Sequence, residues 1–274
     1  MDNHYNNNNK LAMRCCLSGV LRKNLFIIGI GLMLFASGCS YLPEVQNLSD
    51  TVHVEENRDY IIITPNREWY SMTGLVFYPG GNVDPHSYVE ALSRFAVSGL
   101  MHQIVIVKMP ANLAILNAEK GKWIYDDFSY VKRWVLAGHS LGGVSACRLV
   151  HEYPSFFFGL ALLAAYPQES SDINWWSQTV LSIRGEHDAL VSEDELDSNA
   201  NFLPPAIKIN TLEEFPMNQD SKTVYYTIPG GNHAYFGQYG DQKGDGEATI
   251  TREKQIKELV NILQLWFDAY NWDE

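Results

Sequence analysis

Ser140 sits in Gly138-His139-Ser140-Leu141-Gly142, a G-x-S-x-G pentapeptide that sets a hydroxyl between two glycines. A serine hydroxyl is a poor nucleophile at neutral pH, so it needs a base within hydrogen-bond reach and a third group to orient that base. Among the eight histidines, His233 in Gly230-Gly231-Asn232-His233 is the candidate base, because it follows an apolar β-like run and precedes a long amphipathic segment. His4 lies in the leader, His53 and His102 sit in or beside early strand-like runs, and His86 and His151 fall in helical stretches. The candidate acid is Asp188 in Gly185-Glu186-His187-Asp188, with Glu186 as the alternative carboxylate. In such a set Asp188 fixes the imidazole tautomer and stabilises the imidazolium, while His233 takes the serine proton and returns it to the leaving group.

The pentapeptide alone is weak, since Gly and Ser are common enough to produce it by chance. Its setting between an apolar run, 134–137, and a helix-period run from Leu141 gives it meaning. A strand that turns abruptly into a helix strains the serine backbone, and residues without side chains at 138 and 142 let the two elements cross closely. The turn also places the hydroxyl at a helix N-terminus, where amide groups favour developing negative charge. Such a site needs two donors for the oxyanion: the amide of Leu141 and one from Pro79-Gly80-Gly81-Asn82, where Gly81 is preferred to Gly80. A plain tight turn is the simpler reading of that glycine pair.

The order serine, acid, histidine is that of the α/β hydrolases. Tyr78-Pro79-Gly80-Gly81-Asn82-Val83-Asp84-Pro85, Met109-Pro110, Gly138 to Gly143, and Gly230-Gly231-Asn232-His233 with Gly237 and Gly240 together resemble the dienelactone-hydrolase-like branch of that superfamily, over residues 60–270. The branch's namesake uses a cysteine where this chain has Ser140. The resemblance therefore implies the fold and the site layout, and not the lactone chemistry.

The elements that must position these residues are legible as apolar runs alternating with helix-period segments, which predicts an α/β fold with a mostly parallel central sheet and helices on both faces. Runs at 51–55 and 60–64 predict an antiparallel start at the sheet edge. Further strands are expected at 74–78, 103–108, 134–137, 159–165, 179–183 and 223–228, and helices at 86–98, 111–118, 141–152 and 252–270. Only Tyr166 to Gln178 separates the strand after the nucleophile helix from the next, so no cap domain fits and an open site is expected. Trp175 and Trp176 on that connection are candidates for an acyl-pocket wall or for packing over the sheet edge. Met109 to Leu116 either borders the pocket or is ordinary core helix. Asp241 to Glu247 has a calcium-loop look that Lys243 and Arg252 spoil at two ligand positions, so it is read as a solvated acidic loop with no metal.

The N-terminal segment is read as an export signal. Lys10, Arg14, Arg22 and Lys23 precede an apolar run from Leu25 to Ala36 that is short for a membrane span. The run ends in Phe35-Ala36-Ser37-Gly38-Cys39, which resembles a bacterial lipobox with Cys39 as the lipid acceptor; an uncleaved anchor is the alternative, and Met13 is a second candidate start. Ser40 in place of an aspartate points to the outer membrane, periplasmic face, in a cell with two membranes. The expected organisation is a signal peptide at 1–38, a tether at 39–50 and a hydrolase domain at 51–274. The chain has 20 basic and 32 acidic residues; loss of four basic and one acidic residue with the leader leaves 236 residues with a formal charge of −15, which argues against nucleic acid as a partner. Cys15 and Cys16 would leave with the leader, so Cys147 stands alone and is expected to pack in the core.

These readings converge on a membrane-tethered serine hydrolase that needs no cofactor and acts on a small-molecule acyl substrate. A peptidase or thioesterase of the same fold remains an alternative, as does a non-catalytic envelope lipoprotein that binds a ligand.

Overall fold

The computed structural model describes residues 41–44, 50–66, 72–98, 100–217 and 222–270. Among them, strands β1 (Val52–Glu56), β2 (Tyr60–Pro65), β3 (Thr73–Tyr78), β4 (Gln103–Val107), β5 (Arg133–His139), β6 (Gly159–Leu163), β7 (Thr179–Gly185), β8 (Ala206–Ile209) and β9 (Thr223–Ile228) form one sheet in the order β1-β2-β4-β3-β5-β6-β7-β9-β8. β1 with β2 and β2 with β4 are antiparallel, and every later pair is parallel. All residues of β6 and β7 are buried, as parallel strands covered on both faces require.

The pleat of β5 sorts the core into two layers. Val135 and Ala137 face the layer shared with α1 (Val89–Ala96) and α4 (Arg252–Ala269), through residues such as Leu92, Phe95, Leu263 and Trp266. Trp134 and Leu136 face the other layer, under α2 (Leu141–Glu152), which contributes Ala146, Cys147, Leu149 and Val150. Cys147 is fully buried, and burial pushes its thiol far up, which keeps it inert. No separate cap domain interrupts the connection between β6 and β7.

Two expectations are corrected. The segment 111–118 is not a helix: it is a series of short 3-10 turns, and Ala111 and Asn112 have φ of 50° and 54°, which breaks any continuous i to i−4 ladder. Between β7 and β9 lie two elements the periodicity did not reveal, α3 (Glu193–Asn199) and the edge strand β8. α3 carries a capping box, in which the Ser192 hydroxyl accepts from the Glu195 amide and the Glu195 carboxylate accepts from the Ser192 amide.

At the N-terminal end, the Tyr41 amide donates to the Asn82 carbonyl at 2.7 Å, the Asp84 amide donates to the Tyr41 carbonyl at 2.9 Å, and the Glu44 amide donates to the Gln238 carbonyl at 2.9 Å. Part of the expected tether is thus laid against the domain. Cys39 and the apolar run before it lie outside the described residues. Among the described residues, no helix is long and apolar enough to cross a membrane.

Candidate active site

Ser140 follows β5 directly and adopts φ 52°, ψ −124°, a region that non-glycine residues avoid. The cause is the turn from β5 into α2. A Cβ at Gly142 would fall well inside contact of the Tyr78 and Pro79 carbonyls, and one at Gly138 would strike the Gly142 backbone. Only a bare backbone at both positions lets α2 start this close to the ends of β3 and β5. The Ser140 amide donates to the Leu163 carbonyl at 2.9 Å, tying the turn to β6, and Ser140 remains half-buried.

Asp188 follows β7 and His233 follows β9, the next strand in the sheet, so both loops open at the carboxyl edge where Ser140 lies. The His187 amide donates to the Gly231 carbonyl at 2.7 Å, which locks the two loops together. Asp188 Oδ2 accepts from His233 Nδ1 at 2.9 Å, with both side chains fully buried. Its other oxygen accepts from the Leu190 and Val191 amides at 2.9 and 2.8 Å. A carboxylate held this way fixes the imidazole with its proton on Nδ1 and leaves Nε2 as an acceptor. Glu186 takes no part: its carboxylate accepts from the Gly230 amide.

β5 and β9 are separated by two strands, on the order of 14 Å at the usual spacing. The His233 loop spans that gap, since the His233 ring lies 4.6 Å from the ring of His139, the neighbour of Ser140. His233 Nε2 is buried and makes no hydrogen bond. An unengaged base nitrogen is a common state of such sites before substrate binds, because their hydrogen bonds tighten in the complex.

The His233 loop is held by groups that the pattern of the sequence did not single out. Asp245 accepts from the His233 and Ala234 amides at 3.2 and 2.8 Å, so it is a bracket for this loop and not simply a solvated acid. Gln255 of α4 accepts from the Asn232 amide at 2.9 Å and donates to the Asn232 carbonyl at 2.8 Å. Among the described residues, no group of three or more His, Cys, Asp or Glu is placed to hold a metal.

The turn after β3 approaches α2 through Gly81, whose Cβ position lies 3.0 to 3.3 Å from Leu141 side-chain atoms. The Gly80 amide donates to the Tyr88 hydroxyl at 3.0 Å and is therefore engaged. Leu113 comes within 3.7 Å of the same Gly81 position, and the Asn82 amide donates to the Asn112 carbonyl at 2.9 Å, so the 109–116 segment does border this turn. Trp175 and Trp176 do not wall the site. The Trp176 indole donates to the Pro154 carbonyl, beyond the far end of α2, and Trp175 lies against His151 in the last turn of that helix. A 12-residue helix puts them about 18 Å along its axis from Ser140. A cleft of about 480 Å³ opens beside the turn, lined by Glu56, Asp84, His86, Lys108 and Asn112 but not by Ser140 or His233. Among the groups that line it, Lys108 pairs with Glu56 at 2.6 Å and His86 with Asp84 at 2.7 Å.

Residues 74–257 match the sequence model of the alpha/beta hydrolase family. No protein with a curated description is significantly similar in sequence. Among solved structures, the chain is similar to a CIB-like hydrolase from Thermoplasma acidophilum at TM-score 0.53 and 14% identity, covering 78% of this chain and 99% of that one. A novel esterase from Mycobacterium tuberculosis is similar at TM-score 0.54 and 11% identity over 82% and 93% of the two chains. Dienelactone hydrolase from Anabaena variabilis is similar at TM-score 0.53 and 12% identity over 80% and 99%.

Proposed function

The chain belongs to the α/β hydrolase family, and on that footing we propose that it is a serine hydrolase which cleaves small esters or related acyl compounds through an acyl-enzyme. The observation that carries this reading is the fully buried Asp188–His233 pair at 2.9 Å, set at the sheet edge where Ser140 is held at positive φ. In the proposed reaction His233 Nε2 accepts the Ser140 hydroxyl proton as Oγ attacks the substrate carbonyl. The carbonyl electron pair moves onto oxygen, where the Leu141 and Gly81 amides receive it. Collapse of that intermediate breaks the bond to the leaving group, which takes the proton from His233. Water then repeats the attack on the acyl-serine with His233 again as base, releasing the acid and restoring Ser140. Asp188 stabilises the imidazolium in both halves, and each oxyanion donor contributes about 10²- to 10³-fold in rate.

We further propose that the protein is exported and carried on a membrane by lipid on Cys39, as the lipobox-like run before it suggests. Treatment of the purified protein with a fluorophosphonate probe, followed by mapping of the adduct, tests the chemistry. The expected result is a single adduct at Ser140 that disappears in Ser140→Ala and falls at least a hundredfold in rate in His233→Ala. A folded protein that takes no label would end the serine-hydrolase reading and leave the fold as a binding scaffold.

A further inference from the structure

Beside the proposed base lies a second buried histidine that the acyl-transfer scheme leaves without a task. His139 is fully buried, its ring packed 4.6 Å from the His233 ring and 5.5 Å from Phe236. Its Nδ1 lies 2.8 Å from the hydroxyl of Tyr88, a residue just before α1 that is 1% exposed. The same hydroxyl accepts the Gly80 amide at 3.0 Å. A Cβ on Gly80 would meet His139 Nδ1 and the Tyr88 oxygen at 2.9 Å each, so the three groups pack without slack.

A phenol has one proton to give. Its oxygen takes the Gly80 amide and still has a lone pair and a proton for His139 Nδ1, so the Tyr88–His139 bond at 2.8 Å forms whichever of the two carries the shared proton. The ring stays neutral, because burial first and the neighbouring His233 second hold its pKa well below the usual histidine value. Neutrality matters at this place, since a charged ring 4.6 Å away would oppose the imidazolium that His233 must become.

We propose that Tyr88 and His139 are positioning residues for the oxyanion turn: the Tyr88 hydroxyl engages the Gly80 amide so that the turn presents Gly81 beside Leu141, and His139 holds that hydroxyl in place. The bridge joins the turn after β3 to the end of the nucleophile strand. It rests on the reading of this site as an acyl-transfer centre. Without it, two successive amides compete for the same role, and the turn has no fixed choice of donor.

Three variants test it: Tyr88→Phe, His139→Leu and His139→Asn. Asparagine places a side-chain amide where Nδ1 stood and can accept from or donate to Tyr88, whereas leucine fills the space and does neither. The measurements are kcat and KM on a soluble p-nitrophenyl ester, and hydrogen exchange at the Gly80 amide. Tyr88→Phe and His139→Leu are expected to lower kcat about 10- to 100-fold with KM within about twofold, since the loss falls on a transition-state contact. Both should speed Gly80 exchange at least about tenfold, because the amide loses its acceptor in the first and that acceptor loses its support in the second. His139→Asn should recover kcat to within about threefold of the parent, by keeping a hydrogen-bonding group beside Tyr88. Tyr88→Phe removes one oxygen and keeps the ring, so it decides the matter even where His139→Leu fails to fold.

Unchanged kcat and exchange in Tyr88→Phe would overturn the proposal, as would equal losses in the leucine and asparagine variants. Should the parent protein neither hydrolyse esters nor label at Ser140, the serine-hydrolase reading fails by itself, and Gly80 exchange in Tyr88→Phe still decides whether the bridge holds the turn.

Discussion

A buried neutral histidine leaves a mark on stability that can be read without any substrate. An unfolded histidine titrates near 6.5, while burial and the adjoining His233 keep folded His139 from taking a proton until much lower pH. Below pH 6.5 the unfolded chain therefore binds a proton that the native state does not, and stability falls as pH falls, by about 1.4 kcal/mol per pH unit for one group. His86 works in another window. Burial opposes its charge, but Glu56 and Asp84 outweigh burial and raise its pKa, so its contribution is fully present below 6.5 and is lost only as pH rises through the folded value. Urea unfolding at pH 7.5 and 5.5 should show a drop in stability about 1.4 kcal/mol smaller in His139→Asn than in the parent; superimposable drops would mean that His139 titrates freely. At this scale the candidate residues and the Asp188–His233 contact were legible. Ser140, Asp188 and His233 stand out because the residues proposed as nucleophile, acid and base each follow an apolar run at a glycine, and the structure pairs Asp188 with His233 while sending Glu186 to the Gly230 amide. Tyr88 and Asp245 were not legible. Their roles come from contacts with residues 8 and 11 or more positions away, and no local pattern records such a meeting.

Elements were legible in proportion to how fully they are buried. β6, β7 and α2 carry unbroken or strongly periodic apolar positions, and their expected bounds nearly coincide with the observed ones. β8 presents one buried residue out of four, so its pairing with β9 leaves almost no hydrophobic trace. The 111–118 segment misled for a different reason: its apolar residues suit a helix, but the turn beside it takes the Asn112 carbonyl, and two left-handed residues result. The crossing of α2 over β3 and β5 is the element-scale feature on which the nucleophile turn depends. A methyl at 142 has rigid backbone carbonyls and no yielding side chain in front of it. Gly142→Ala should therefore cost about 1–3 kcal/mol as overpacking, lower Tm by roughly 2–4 °C for each of those kcal/mol in a domain of this size, and displace Ser140 enough to suppress fluorophosphonate labelling at temperatures where the protein is still folded. A variant as stable and as reactive as the parent would show that the turn has slack, and that the positive φ of Ser140 has some other origin.

At the scale of the whole molecule, the compact unit begins at Tyr41, two residues after the cysteine proposed to carry lipid. Tyr41 to Glu44 join the turn that holds Gly81 to the segment after His233, through backbone bonds to Asn82, Asp84 and Gln238. The proposed anchor and the strap are thus separable, and two changes distinguish them. Cys39→Ser removes the lipid acceptor and keeps the strap, so the protein should leave the membrane fraction and lose incorporation of a clickable fatty acid, with its kcat on a soluble ester within about twofold, because no group at the reacting centre has changed. A chain beginning at Thr51 loses the strap as well. Three backbone hydrogen bonds contribute on the order of 1 kcal/mol each, which corresponds to a fall in Tm of about 6–12 °C for a domain of this size. Because two of the three bonds end on the Gly80–Asp84 turn, kcat should fall in the shortened chain even well below its Tm. If the shortened chain melts and turns over like Cys39→Ser, the strap is passive and only the anchor matters; if Cys39→Ser stays in the membrane fraction, the anchor lies elsewhere in the leader.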